Sequence, residues 1–324
     1  MYIKQKSRLG ILVDDIFAKH KTGIYHPENH QRIFAIKKLQ KKSKDFETAE
    51  KIPPKLAKNE QLFLCHSPKY IQLIEEDCRL SKQIGPDDGS FTLRTGDVQI
   101  CSESFETALF AVGGVLQAVD WVLKDRLDVA FCAVRPPGHH ASAECGMGFC
   151  LLNNIAIAAR YAISHFRLKR VLIVDWDVHH GNGTQDIFKN DPSVFYFSTH
   201  QWPLFPGTGK KEERGCGNIL NFPIAPGNHS RLEVLNAFQS DLVQAMESFK
   251  PEMVFISAGF DAHYQDPLGG MNLTVQDFGI LTGVVKEVAK RYANGRIVSV
   301  LEGGYHPESL ALSVEEHVRI LKNA

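Results

Sequence analysis

Asp175, Asp177 and His179 occupy alternate positions at the end of the apolar run Val171-Leu-Ile-Val174. An extended chain alternates its faces, so these three side chains are expected on one side. Two carboxylates and an imidazole cannot stay bare in a packed interior, because buried charge needs a partner or a cation. Oxygen and nitrogen donors at a strand end suit a catalytic divalent metal, zinc foremost, and Asp177 with His179 leave a third ligand to be found. The best candidate is Asp261, beyond the run Met253-Val-Phe-Ile-Ser-Ala258, where Gly259 lets the backbone turn sharply. A lone Asp at such a place can also be only a helix cap.

Two carboxylate ligands cancel the charge of a divalent ion and weaken its acidification of water, so a general base is expected nearby. The tandem pair His139 and His140, in Arg135-Pro-Pro-Gly-His-His140, supplies candidates. A neutral imidazole accepts a proton and an imidazolium returns it to a leaving amine. Asp175 is placed to bond one of the two rings and fix its tautomer. Tyr305, behind Gly303-Gly304, offers a phenol to a developing oxyanion, worth about 10²–10³ in rate, although Gly-Gly-Tyr by itself is usually a turn. These parts describe metal-assisted hydrolysis of an amide.

The elements that must position them are short and apolar. Gly10–Asp14, Val129–Val134, Val171–Asp175, Val194–Ser198, Met253–Ser257 and Ile297–Leu301 read as fully buried strands. Helical spacing predicts helices over Ser104–Leu123, Asn153–His165, Leu232–Phe249 and Thr274–Tyr292. Alternation of the two predicts an α/β fold with a parallel sheet covered on both faces, and ligands in such sheets bind beyond the carboxyl ends of the strands. Val134, Val174, Ala258 and Leu301 are each followed at once by polar, Gly-rich sequence, so four loops should share one rim. No linker, repeat or low-complexity tract divides residues 1–324, which read as one domain; Lys37 to Lys44 reads as a solvated helix face.

Lysine plus arginine (37) balances aspartate plus glutamate (37), so no global field argues for nucleic acid. The seven cysteines are odd in number and lack Cys-x-x-Cys pairs, which predicts reduced thiols. The N-terminus lacks the apolar core of a signal peptide, and no apolar run approaches the roughly 20 residues of a membrane span. A cytoplasmic protein without membrane contact is expected, with other intracellular or effector-type destinations left open.

At this point the chain resembles the zinc-dependent histone deacetylase family, from His26-Pro27-Glu28 to Leu310. The matching motifs are Arg135-Pro-Pro-Gly-His-His-Ala141, Gly148-Phe-Cys-Leu-Leu-Asn-Asn154, Asp175-Trp-Asp-Val-His-His-Gly-Asn-Gly183, Phe205-Pro-Gly-Thr-Gly209, Ser257-Ala-Gly-Phe-Asp-Ala-His263 and Leu301-Glu-Gly-Gly-Tyr305. Trp176 and Asn182 follow the class II pattern. The resemblance implies a single-domain, three-layer αβα architecture with a mainly parallel central sheet, the arginase–deacetylase fold. It implies one catalytic zinc on Asp177, His179 and Asp261, with His140 as general base and acid, Asp175 supporting His139, and Tyr305 as the catalytic tyrosine. Class I members carry a carboxylate at Asn182, so the partner of His140 is less charged here. Gly148, Phe149 and Phe205 would form the acyl-lysine tunnel, and Asp175, Asp177, His179, Ser198 and Thr199 match an inner potassium site. The acidic rim residue of the family falls at Thr95 or Asp97, with Asp87 and Asp88 as neighbours. His30 stands where the family has Pro, close to Arg32, which is given a structural or product-channel role. Polyamine-preferring relatives place a carboxylate at Leu268; an apolar residue there favours an acyl-lysine of a protein or peptide over an acetylated polyamine or other small amide. A binuclear manganese ureohydrolase and a non-catalytic acyl-lysine binder are the remaining alternatives.

Overall fold

In a computed structural model, which describes residues 6–323, all six expected strands form. In chain order the strands are β1 (Leu9–Val13), β2 (Glu50–Lys51), β3 (Phe91–Thr92), β4 (Gln99–Ile100), β5 (Val129–Ala133), β6 (Val171–Asp175), β7 (Val194–Gln201), β8 (Ile219–Ile224), β9 (Met253–Ala258) and β10 (Ile297–Leu301). Eight of them make one sheet in the order β2-β1-β5-β10-β9-β6-β7-β8, every adjacent pair parallel. All residues of β5, β6, β9 and β10 are buried, which is why they read as unbroken apolar runs. These four are also the central neighbours of the sheet, so the four polar loops that follow them stand side by side. Sequence reasoning did not read β2 and β8. The first has two residues, and the second contains Pro223, which an edge strand tolerates.

The helices Ser104–Leu123 and Asn154–Phe166 pack on each other, with the first against β5 and β10 and the second against β6 and β9. The helices Val275–Tyr292, Pro307–Lys322 and Gln31–Lys37 form a second packed set that also touches β5 and β9. The result is the three-layer α/β arrangement. Local chemistry starts these helices: the Asn153 side chain accepts from Ala156 N, and Thr274 with Asp277 forms a capping box. The expected Leu232–Phe249 helix is interrupted. Ser230–Asn236 and Val243–Phe249 are joined by a wider π turn at Ala237–Leu242. The lysines of 37–44 lie at the surface on short helical turns, as expected.

Among the described residues one helix, Ser104–Leu123, is long and apolar enough to cross a membrane, and 61% of its most apolar stretch is buried inside the fold. Its apolar face covers the sheet. The small hairpin β3–β4 projects a turn over Leu93–Val98, closed by Leu93 N donating to Val98 O (2.9 Å), and that turn reaches the site described next.

Candidate active site

β6 ends at Asp175, so Asp177 and His179 lie in the turn beyond it and not on an alternating strand. Hydrogen bonds aim them instead. Asp175 Oδ1 accepts from Asp177 N (3.1 Å), and Asp177 Oδ1 accepts from His179 N (2.9 Å). Each acid thereby holds the backbone two residues on, in the manner of an Asx turn. The expected alternation along a strand therefore does not place these side chains: Asp177 and His179 lie past the strand end, and Asp175 stays outside the cluster they form.

Asp261, from the loop after β9, joins them. One potential ligand atom from each of Asp177, His179 and Asp261 lies within 4.8 Å of the others, and all three residues are buried. His179 Nδ1 is 3.0 Å from Asp177 Oδ1 and 3.2 Å from Asp261 Oδ2. Asp261 Oδ1 accepts from Val178 N (2.9 Å) and Asp177 Oδ2 from Gly303 N (2.8 Å), whereas Asp261 Oδ2 is buried without a hydrogen bond. Burial, and then the facing Asp177, push the Asp261 carboxyl above its ordinary range. Two buried acids, one with an unpartnered oxygen, beside an imidazole are the donor set of a divalent metal, and the residues fit one. The backbone makes room for the cluster. A Cβ on Gly303 would stand 2.0 Å from Asp261 Oδ2, and one on Gly259 would stand 2.2 Å from Asp177 Oδ2.

The tandem imidazoles diverge. Their centroids are 4.1 Å apart and their planes tilt by 47°. His139 Nδ1 meets Asp175 Oδ2 at 3.0 Å, and the same oxygen accepts from Tyr196 OH (2.9 Å). Burial lowers the affinity of His139 for its proton, but Asp177 and Asp175 together outweigh it and raise the ring to about 10. His140 Nδ1 meets Asn182 Oδ1 at 2.7 Å, and Asn182 Nδ2 donates to Met147 Sδ (3.3 Å). Burial, then the neighbouring His139 and His179, push His140 well below the ordinary histidine value.

A cavity of about 270 Å³ opens onto this group, lined by Asp97, His140, Gly148, Phe149, His179, Leu204, Phe205, Leu268 and Tyr305. Every expected tunnel residue is present, and Leu204 adds a wall that sequence reasoning missed. Phe205 stands edge-on to His140 (5.2 Å) and Phe149 edge-on to Tyr305 (6.0 Å). Gly148 has φ +54°, and a Cβ there would stand 2.4 Å from His140 Cδ2, so only glycine lets this backbone approach the imidazole. Of the two rim candidates, exposed Asp97 is the one at the cavity, its Oδ1 accepting from Gly148 N (2.8 Å). Thr95 instead offers its carbonyl to Cys145 Sγ (2.9 Å). Asp87, Asp88 and His30 border a separate groove with Lys21 and Phe34. Behind the tyrosine, Arg32 donates through Nε to Gly304 O (2.6 Å), pairs with Glu28 (2.9 Å) and lies 5.1 Å from the Tyr305 ring centroid. Ser198 lies opposite Asp175 in the β6–β7 register, and both it and Thr199 are buried.

Sequence reasoning missed Glu302, which it took only as part of a polar loop. Its buried carboxylate accepts from Gly138 N (2.7 Å) and His139 N (3.2 Å), which fixes the backbone of the histidine pair. An acid directly before a Gly-Gly pair at a strand end was the available signal. Tyr196, the second partner of Asp175, gave none. A larger groove, about 620 Å³, lies between Gln239 and Tyr292 on the helical layer, well away from these residues in sequence and without a ligand-bearing cluster.

The histidine pair, the Asp–His–Asp cluster and the tyrosine at the end of one apolar cavity, on a parallel α/β sheet, form a hydrolase site of the deacetylase kind. Residues 26–321 match the histone deacetylase domain model, and the chain belongs to that family. It is 40% identical over 313 residues to the rice (Oryza sativa subsp. japonica) protein named histone deacetylase 10, chloroplastic, covering 91% of this chain and 69% of the relative. It is also 40% identical over 267 residues to the mouse (Mus musculus) polyamine deacetylase HDAC10, covering 80% of this chain and 39% of that longer protein. The crystal structure of the HDA15 HD domain superposes with a TM-score of 0.85 at 30% identity, covering 96% of this chain and 90% of that one.

Proposed function

We propose that this chain is a zinc-dependent amidohydrolase that removes acetyl or other acyl groups from lysine side chains. One observation supports it most: a narrow cavity with phenylalanine walls leads from an exposed carboxylate, Asp97, down to His140, His179 and Tyr305. That shape suits a methylene stem followed by an amide. Asp177, His179 and Asp261 would hold the zinc, which when bound supplies Lewis-acid charge to the carbonyl and the attacking water. His140, uncharged and facing the cavity, takes the proton of the water. His139, held through Nδ1 by Asp175, keeps its ring oriented beside the site. Tyr305 donates its phenol to the oxyanion. The protonated His140 then passes its proton to the departing amine nitrogen. Phe149, Phe205 and Leu268 exclude water from the stem, and the Gly148 carbonyl is available to the substrate amide N–H. Asp175, Asp177, His179, Ser198 and Thr199 would hold a monovalent cation beside the site. All seven thiols are unpaired, which suits a reducing compartment such as the cytoplasm.

The relationship to a polyamine deacetylase gives the second reading, an acetylated polyamine. Against it, Leu268 is apolar, and Asp97 at the mouth is the one carboxylate among the residues lining the cavity. A panel of acetyl-lysine peptides, longer acyl-lysines and acetylpolyamines on zinc-loaded protein decides. Peptide turnover that vanishes with chelator and returns with zinc is expected. Faster acetylpolyamine turnover would favour the second reading, and two tightly bound manganese ions per chain would replace both with ureohydrolysis.

A further inference from the structure

The turn that delivers Tyr305 has little of its own to hold it. Gly303 has no room for a side chain beside Asp261, and Gly304 sits at φ +118°. Two consecutive glycines therefore precede the phenol, in a segment with no regular secondary structure. Glycine loses the most conformational freedom on folding, so the position of the next residue depends on outside contacts. Arg32 holds the Gly304 carbonyl and Asp177 holds Gly303 N. The contact nearest the tyrosine itself comes from another loop. Asp266 Oδ2 accepts from Tyr305 N (2.6 Å) and His306 N (3.3 Å), while its Oδ1 accepts from Leu268 N (3.0 Å). Asp266 is 6% exposed and, among the described residues, forms no ion pair. A buried carboxylate whose partners are three backbone N–H groups serves geometry, since each N–H would otherwise go unmet.

We propose that Asp266 is a positioning residue for the reaction: it clamps the Tyr305 turn to the cavity wall at Leu268 and so sets where the phenol stands. The clamp joins two residues that line the same cavity from opposite loops, the oxyanion donor and the side wall. Donors to an oxyanion act over a narrow range of about 2.7–3.1 Å, and a displacement of about 1 Å can cost about 10²-fold. The proposal rests on Tyr305 acting as that donor.

The test is a double-mutant cycle on the zinc-loaded chain, with acetyl-lysine peptide turnover, zinc content and thermal midpoint recorded for each variant. Tyr305→Phe is expected to lower kcat by about 10²-fold or more. Asp266→Ala is expected to lower kcat by about 10- to 10²-fold with zinc retained, and Asp266→Asn, which keeps one acceptor oxygen, by less. The double variant Tyr305→Phe/Asp266→Ala should fall no further than Tyr305→Phe alone, because both changes remove the same interaction. Multiplying effects, an unchanged kcat, a change in KM alone or loss of zinc in Asp266→Ala would each overturn the clamp. An unchanged kcat in Tyr305→Phe would instead remove the phenol from the mechanism, a separable result. If Asp266→Ala does not fold, the same cycle with Asp266→Asn decides.

Discussion

Two adjacent imidazoles meet opposite surroundings. His139 points at Asp175, whose other partners are Tyr196 and the backbone of Asp177, and its own N–H is held by Glu302. His140 points at Asn182, a neutral amide backed by Met147 sulfur, and faces the cavity beside Phe205. Both rings are buried, and burial alone disfavours the charged form of each. The acids around His139 overcome that penalty, whereas the one acid that favours the charged form of His140, Asp177, does not. The difference teaches that one position in sequence separates a ring paired with acids from a ring paired with a neutral amide. One dipeptide can thus present two imidazoles of opposite proton affinity by giving them different partners.

The largest expected effect separates the two rings outright. His140→Ala should lower kcat by about 10²–10⁴-fold while the purified protein keeps its zinc. Turnover near the parent level would assign the base to His139 and reverse the comparison. Metal analysis alongside the kinetics guards against a trivial loss of the ion.

The contrast between the rings also bears on what the amino-acid sequence alone makes legible. The rim was legible because chemistry breaks the pattern of the fold: Asp175, Asp177, His139, Asp261 and Tyr305 follow apolar runs that would otherwise end in ordinary turns. Asn182 was legible as the partner of His140 only through the family likeness. Phe149 and Phe205 were no different from core phenylalanines on their own, and their role too came from that likeness. Glu302, Tyr196 and Asp266 were missed for a common reason. Each acts on a group far away in sequence, as Glu302 does on Gly138 164 positions earlier, and composition carries no sign of such a pairing. The helix Pro307–Lys322 went unread because its buried stripe includes Ser309, Ser313 and His317, which interrupt the apolar period. The mouth was narrowed only to Thr95 or Asp97, since the short strands β3 and β4 that aim it hold two residues each.

Returning a carboxylate to the neutral ring should sharpen the contrast by a smaller amount. In Asn182→Asp an added negative charge favours the imidazolium of His140 and raises its pKa. The base form is then reached only at higher pH. The acidic limb of the kcat/KM profile should move to higher pH, with activity below the limb reduced and the plateau above it little changed. A limb that stays in place would mean that the titrating group is not His140.

The smallest effect on turnover concerns a third buried imidazole, which has no acid at all. The polar partners of His317 are the hydroxyls of Thr282 (2.7 Å) and Ser299 (2.9 Å), its ring packs among Phe131, Trp176 and Phe260, and burial pushes it down to about 3 from an ordinary 6.5. It stays neutral in the fold yet takes a proton in the unfolded chain. Stability from this source is therefore complete above pH 6.5 and is lost as the pH falls toward 3, at about 1.4 kcal/mol per pH unit. His20, pushed to about 3, and His66 and His200, each pushed to about 4 by burial, add to the same acid sensitivity. His317→Gln should lower the thermal midpoint at pH 7 but make its decline between pH 6.5 and 4.5 shallower than in the parent. If the two declines run parallel, His317 is already protonated in the fold, and burial without a carboxylate does not suffice to keep an imidazole neutral here.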